Sequence, residues 1–195
     1  FIHEKIEIGY EDLEVENGEN GRRYLSPDGH KFPSITTVLG VLSKASIAAW
    51  RARVGEEEAN KVSHRASTRG TAVHDIVEKY LDNEELPDVL PHITASLNNL
   101  KPSLNRIGKI FAQESPLYSR HLGVAGRVDC VGEYDGVPSI IDFKTSKKIK
   151  KKEWISSYFM QAAAYAIMWE ERTGMPITNL VIIMDVDNES PQTFV

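Results

Sequence analysis

The sequence predicts an α/β fold in which a central mixed β-sheet is flanked by α-helices, with a helical and hairpin extension on its N-terminal side. Three observations predict it. Two β-branched runs flank Asp135-Gly136, the dipeptide favoured in two-residue type I′ hairpin loops. A helical pattern over Trp154–Arg172 carries a broad apolar side of Ile155, Tyr158, Phe159, Ala162, Ala166 and Trp169, and Gly174 and Pro176 end it. Asn179–Val186 follows as a mostly apolar run, the pattern of a strand buried on both faces.

The chain of 195 residues is expected to form one domain, large enough to bury a real core. Within it we expect an accessory hairpin region over 1–33, a helical lead-in over 34–107 and the core over 108–187. The opening at Phe1 and the end at Val195, soon after a strand, suit a piece of a longer protein. No apolar run approaches the roughly 20 residues that span a bilayer, and no signal-peptide pattern opens the chain. The one cysteine, Cys130, excludes an internal disulfide and a four-thiolate iron–sulfur cluster, and a reducing cytoplasmic setting is expected.

Among the first residues, Arg22–Leu25 and His30–Phe32 flank the turn signal Ser26-Pro27-Asp28-Gly29, and the rest reads as acidic connections. Ser34 is placed to cap a short helix over Ile35–Leu42, and Ser46 a second one through Val54. Glu56 to Ser67 reads as a further helix, broken at Arg69-Gly70-Thr71, after which Thr71 caps Ala72–Leu81. On that last helix His74 and Glu78 share a face, and Val73, Ile76 and Val77 supply the buried side. After Pro87 and Pro91, Ile93–Ile107 is an amphipathic helix, and Lys109–Tyr118 is a strand with Glu114 in its middle.

The two-residue loop fixes the hairpin register: Tyr134 faces Val137, Cys130 faces Ile141 and Asp129 faces Asp142. Alternation then puts Val128, Cys130, Tyr134, Val137, Ile141 and Phe143 on a core face. The other face carries Arg127, Asp129, Glu133, Asp142 and Lys144. Opposed β-carbons stand roughly 4.5–5.5 Å apart, where like charges repel. Two facing carboxylates must therefore share a proton or hold a cation, and Mg²⁺ is the hard ion that suits carboxylate oxygens. The alternative is a solvated hairpin with a surface Asp–Lys pair. Beyond it, Lys144, Lys147, Lys148, Lys150, Lys151 and Lys152 form a dense basic run, either a solvated loop or a funnel that tracks phosphates. The formal charge of −5 counts against a nucleic-acid partner, but this local run outweighs it.

Val128-Asp129 followed by Asp142-Phe143-Lys144 resembles the signature of the PD-(D/E)XK nuclease superfamily, with Val128 in place of the proline. Arg69-Gly70-Thr71-Ala72-Val73-His74, Asp142-Phe143-Lys144-Thr145-Ser146, Gln161–Tyr165 and Phe32–Leu39 are similar to motifs of its RecB-like exonuclease branch. That branch includes the mitochondrial genome maintenance exonucleases and viral (phage) relatives. The resemblance implies a restriction-endonuclease-like core and an Mg²⁺- or Mn²⁺-dependent deoxyribonuclease acting in DNA replication, repair or recombination. It also implies digestion from free ends of single-stranded DNA. Asp129, Asp142 and Lys144 would be catalytic, with metal held by Asp129, Asp142, the Phe143 carbonyl, His74 and Glu114. Thr145, Ser146, Lys147, Lys148, Gln161 and Tyr165 would face DNA. Two other readings stay open, a catalytically silent DNA-binding module and an endonuclease on the same fold. No phosphate-binding glycine loop, zinc-ligand spacing or internal repeat occurs.

Overall fold

The computed structural model describes residues 1–195. A six-stranded mixed sheet runs through its centre, in the order β1 (Ile2–His3), β5 (Ile107–Ser119), β6 (Val124–Tyr134), β7 (Val137–Ser146), β8 (Asn179–Val186) and β9 (Gln192–Phe194). β5, β6 and β7 are antiparallel neighbours, whereas β7 and β8 are parallel. Parallel neighbours need a long crossover. It is supplied by α4 (Ser156–Thr173), entered through a 3₁₀ turn at Lys152–Trp154 and closed by left-handed Gly174.

Both faces of the sheet are covered. On one side α4 buries Ala162, Tyr165 and Trp169 against Val128, Val131, Ile140 and Ile182. On the other, α2 (Glu56–Leu81) and α3 (Pro91–Leu104) bury Val73, Val77, Leu97 and Leu100 against Cys130, Tyr134, Ile141 and Ile183. A solvated second hairpin face is thereby overturned. Val131 and Ile140 are fully buried on the side the hairpin reading left to charges. Val128 packs with them, across the sheet from Cys130, so strict alternation breaks at Asp129.

The hairpin itself is as the Asp135-Gly136 pair predicts. Both turn residues have positive φ, 51° and 79°, as type I′ requires, and Tyr134 pairs with Val137. The ladder runs as far as Cys130–Ile141 and stops there. β5 is irregular, with register shifts between Ile107 and Ala112. Farther along, Glu114 takes a φ of 45°, a left-handed conformation that costs a non-glycine residue about 1 kcal/mol or more.

The helical lead-in differs from expectation. α1 (Ile35–Val54) is one helix of 20 residues, not two. Ser34 caps it through Thr37 N–H, but Ser46 donates its hydroxyl back to the Ser43 carbonyl and starts nothing. α2 likewise runs unbroken for 26 residues through Gly70, which lies against the Thr145 hydroxyl where β7 ends. An interior glycine costs about 1 kcal/mol in a helix, so packing rather than propensity holds this stretch helical. α3 ends at Leu104, and Ile107 opens β5 instead. The N-terminal region holds a three-stranded sheet of β2 (Glu14–Gly18), β3 (Gly21–Leu25) and β4 (Lys31–Pro33), and Ile2–His3 joins the main sheet. Its Leu13, Tyr24 and Phe32 pack on Tyr118 and Ala125.

Candidate active site

The site forms where β6 and β7 part. Past Cys130, Asp129 turns its carboxylate across the gap, and Oδ2 accepts the Phe143 N–H at 2.8 Å. A side chain thus replaces the next rung of the ladder. The Phe143 carbonyl accepts from His74 Nε2 at 2.7 Å, which fixes the ring of α2 against β7. With Nε2 carrying that proton, Nδ1 of a neutral imidazole keeps its lone pair, 3.8 Å from Asp129 Oδ1. Glu114 completes the group: ligand atoms of His74, Glu114 and Asp129 lie within 4.8 Å of one another. The strained backbone at Glu114 stands opposite Asp129 across β5 and β6, and Arg127 steadies it by donating to the Glu114 carbonyl at 2.6 Å.

Asp142 sits apart from those three, 2% exposed, with Lys144 Nζ 2.6 Å from its Oδ2. The angle is poor, and that oxygen has no aligned donor. Lys144 donates to Gln161 Oε1 at 3.1 Å, and Gln161 Nε2 donates to the Tyr165 hydroxyl at 3.3 Å. Tyr158 lies beneath the ammonium, 5.2 Å from ring centroid to Nζ. The spacing of Gln161 and Tyr165 puts both, buried, on the face of α4 that meets the sheet, Gln161 against β7 and Tyr165 against β6. Tyr165 comes so close to β6 that a Cβ on Gly126 would stand 2.8 Å from its ring, so only glycine fits there.

Electrostatics follow from crowding. Burial raises the Asp142 carboxyl, Lys144 pulls it back, and Asp129 raises it again, with a net upward shift. Burial works against the Lys144 charge, but Asp142 and Asp129 outweigh it and hold the ammonium above its ordinary value. Burial, then the Asp129 charge, pushes Glu114 up to about 8. Glu114 is therefore neutral near pH 7 while no cation is bound. An unfolded glutamate ionises near pH 4.5, so this group costs stability progressively as pH rises from about 4.5 to 8. We expect Glu114→Gln to raise the melting temperature in EDTA more at pH 8.5 than at pH 5. Equal gains at both pH values would contradict the raised carboxyl.

The donor set fits a divalent cation. Two carboxylates and an imidazole nitrogen converge, a buried oxygen of the neighbouring Asp142 lacks an aligned donor, and hard oxygen donors suit Mg²⁺ while imidazole favours Mn²⁺. Thr145 lines the α2 side of the strand end, and Lys147 and Lys148 are exposed just beyond it. Ser146 is buried, and its hydroxyl donates to the Lys148 carbonyl at 2.6 Å, closing the turn that starts the basic run. The sequence alone singled out neither Tyr158 as the support under Lys144 nor the buried ion pair of Arg69 with Asp185. No local signal marks either; both arise from packing α4 and α2 on opposite faces.

Comparison with characterised proteins finds one likeness. Human mitochondrial genome maintenance exonuclease 1 is 29% identical over 148 residues, 69% of this chain and 42% of the relative. The chain is similar to an exonuclease. It spans about two fifths of the length of that curated relative, 42%. No protein-family model matches the chain. No helix is long and apolar enough to cross a membrane.

Proposed function

We propose that the protein is a metal-dependent DNA exonuclease that hydrolyses phosphodiester bonds from free ends of single-stranded DNA. The observation that carries this reading is the close set of His74, Glu114 and Asp129 beside the buried Asp142–Lys144 pair. The likeness to an exonuclease supports it. Asp129 and Asp142, helped by His74, Glu114 and the Phe143 carbonyl, would hold Mg²⁺ or Mn²⁺. A bound divalent ion supplies Lewis acidity and an acidified water at neutral pH.

The remaining work falls to side chains. Lys144 orients the attacking water and stabilises the charge that builds on the scissile phosphate. Gln161 holds the ammonium from behind, and Tyr165 holds Gln161. His74 keeps the Phe143 carbonyl and the Asp129 carboxylate in fixed relation. Thr145, the turn at Ser146, Lys147 and Lys148 grip the strand backbone.

Digestion of linear and covalently closed circular single-stranded DNA, with Mg²⁺, Mn²⁺ or EDTA, tests the reading. Loss of the linear strand alone, with metal alone, is the expected result. Cutting of the circle makes the protein an endonuclease. Binding without cleavage under any metal makes it a silent nucleic-acid-binding module.

A further inference from the structure

On the α2 side of the strand end, next to Lys144 in sequence, lies a cavity of about 370 Å³. α2 contributes Arg65 and Arg69, the end of β7 contributes Thr145 and Ser146, and Lys147 and Asp187 stand at the rim. Arg69 is committed to Asp185, a carboxylate 1% exposed on β8. Arg65 and Lys147 enter no ion pair, and the Thr145 hydroxyl makes no hydrogen bond. With Asp185 balancing Arg69 and Asp187 offsetting one of the free cations, one positive charge is left over. Val62 and Ala66 complete the wall, so the cavity is a mixed recess with free N–H and O–H donors and the charge complement of one phosphate oxyanion. It also lies in line with the chemistry: Arg69 and Arg65 precede His74 by about 8 and 14 Å of helix rise.

We propose that this recess seats a second phosphate of the bound DNA strand, with Arg65 as its free anchoring donor. The inference rests on the nuclease reading and extends it: the strand runs along α2, away from the cut, and α2 carries both the metal-side histidine and the phosphate anchor. The phosphate belongs either to an internal diester or to a strand terminus, two sources of one chemistry.

Binding of an internally labelled single-stranded oligonucleotide tests this, with EDTA present and salt varied. Three strands are compared, bearing a 5′-phosphate, a 3′-phosphate or neither. For Arg65→Ala, which puts a strong helix former at an exposed helical position, the slope of log affinity against log salt should fall by about 0.7, the share of a single phosphate neutralised by one cation. Arg65→Lys should retain the slope. Lys109→Ala, at the far end of the sheet, should leave it unchanged. A shallower slope on all three strands supports the proposal with an internal diester, and one confined to a phosphorylated strand supports it with a terminal monoester. An unchanged slope on every strand, in a protein that still cuts DNA with metal, overturns this inference and leaves the nuclease reading intact. Failure of the unaltered protein to bind or cut DNA overturns both.

Discussion

Lys144→Ala is expected to lower turnover of linear DNA by at least about a hundredfold, the scale of one missing electrostatic stabiliser in a water-poor site. The ammonium is placed for that role by three neighbours. Asp142 lies at 2.6 Å, Gln161 Oε1 at 3.1 Å and the Tyr158 ring at 5.2 Å. Removing one partner of a buried pair is costly, about 3–5 kcal/mol when the other charge must stay. Here Asp142 escapes much of that cost, because burial already raises its carboxyl and loss of Lys144 lets it take a proton. The variant is therefore expected to fold. It should still bind Mn²⁺ at pH 8, more weakly as the pH falls. Single-turnover kinetics beside calorimetry separate the two effects, and unchanged turnover with metal bound would remove Lys144 from the chemistry.

The second large effect is expected at the carboxylates. Asp142→Ala should abolish both Mn²⁺ binding and turnover, whereas Asp129→Asn should fold normally and bind Mn²⁺ at least about tenfold more weakly. The difference comes from what each oxygen does. An asparagine at 129 keeps an oxygen that can accept the Phe143 N–H, so the parting of β6 and β7 survives while the charge is lost. At 142 the alanine removes a ligand and also strands the Lys144 ammonium, whose side chain is only 20% exposed, without its anion. Calorimetry with Mn²⁺ reads both. Wild-type affinity in Asp129→Asn would count decisively against a cation between these groups.

Much of this site is legible in the amino-acid sequence, for definable reasons. Asp135-Gly136 dictates one register, and that register holds from Tyr134–Val137 to Cys130–Ile141, one residue short of the two carboxylates. The helical spacing of Gln161 and Tyr165 puts them on one face of α4, where they bond to each other. Elsewhere a tertiary contact overrides a local rule. Gly70 looks like a helix breaker, but α2 runs unbroken through it where it passes Thr145. Ser46 looks like a cap, but its hydroxyl bonds backward. Asp129 looks like one more alternating strand residue, but its carboxylate takes over a rung and Val128 ends up on the opposite face from Cys130. The positive φ of Glu114 has no sequence signature at all.

The rung made by Asp129 ties two properties together through a single atom. Oδ2 is both the acceptor that joins β6 to the Phe143 amide and part of the carboxylate offered to a cation. Whatever draws electron density from that oxygen also weakens the bond that holds the strands at the fork. The Phe143 amide proton is therefore a built-in gauge of site occupancy, readable by the change in its rate of exchange with deuterium when a cation is added.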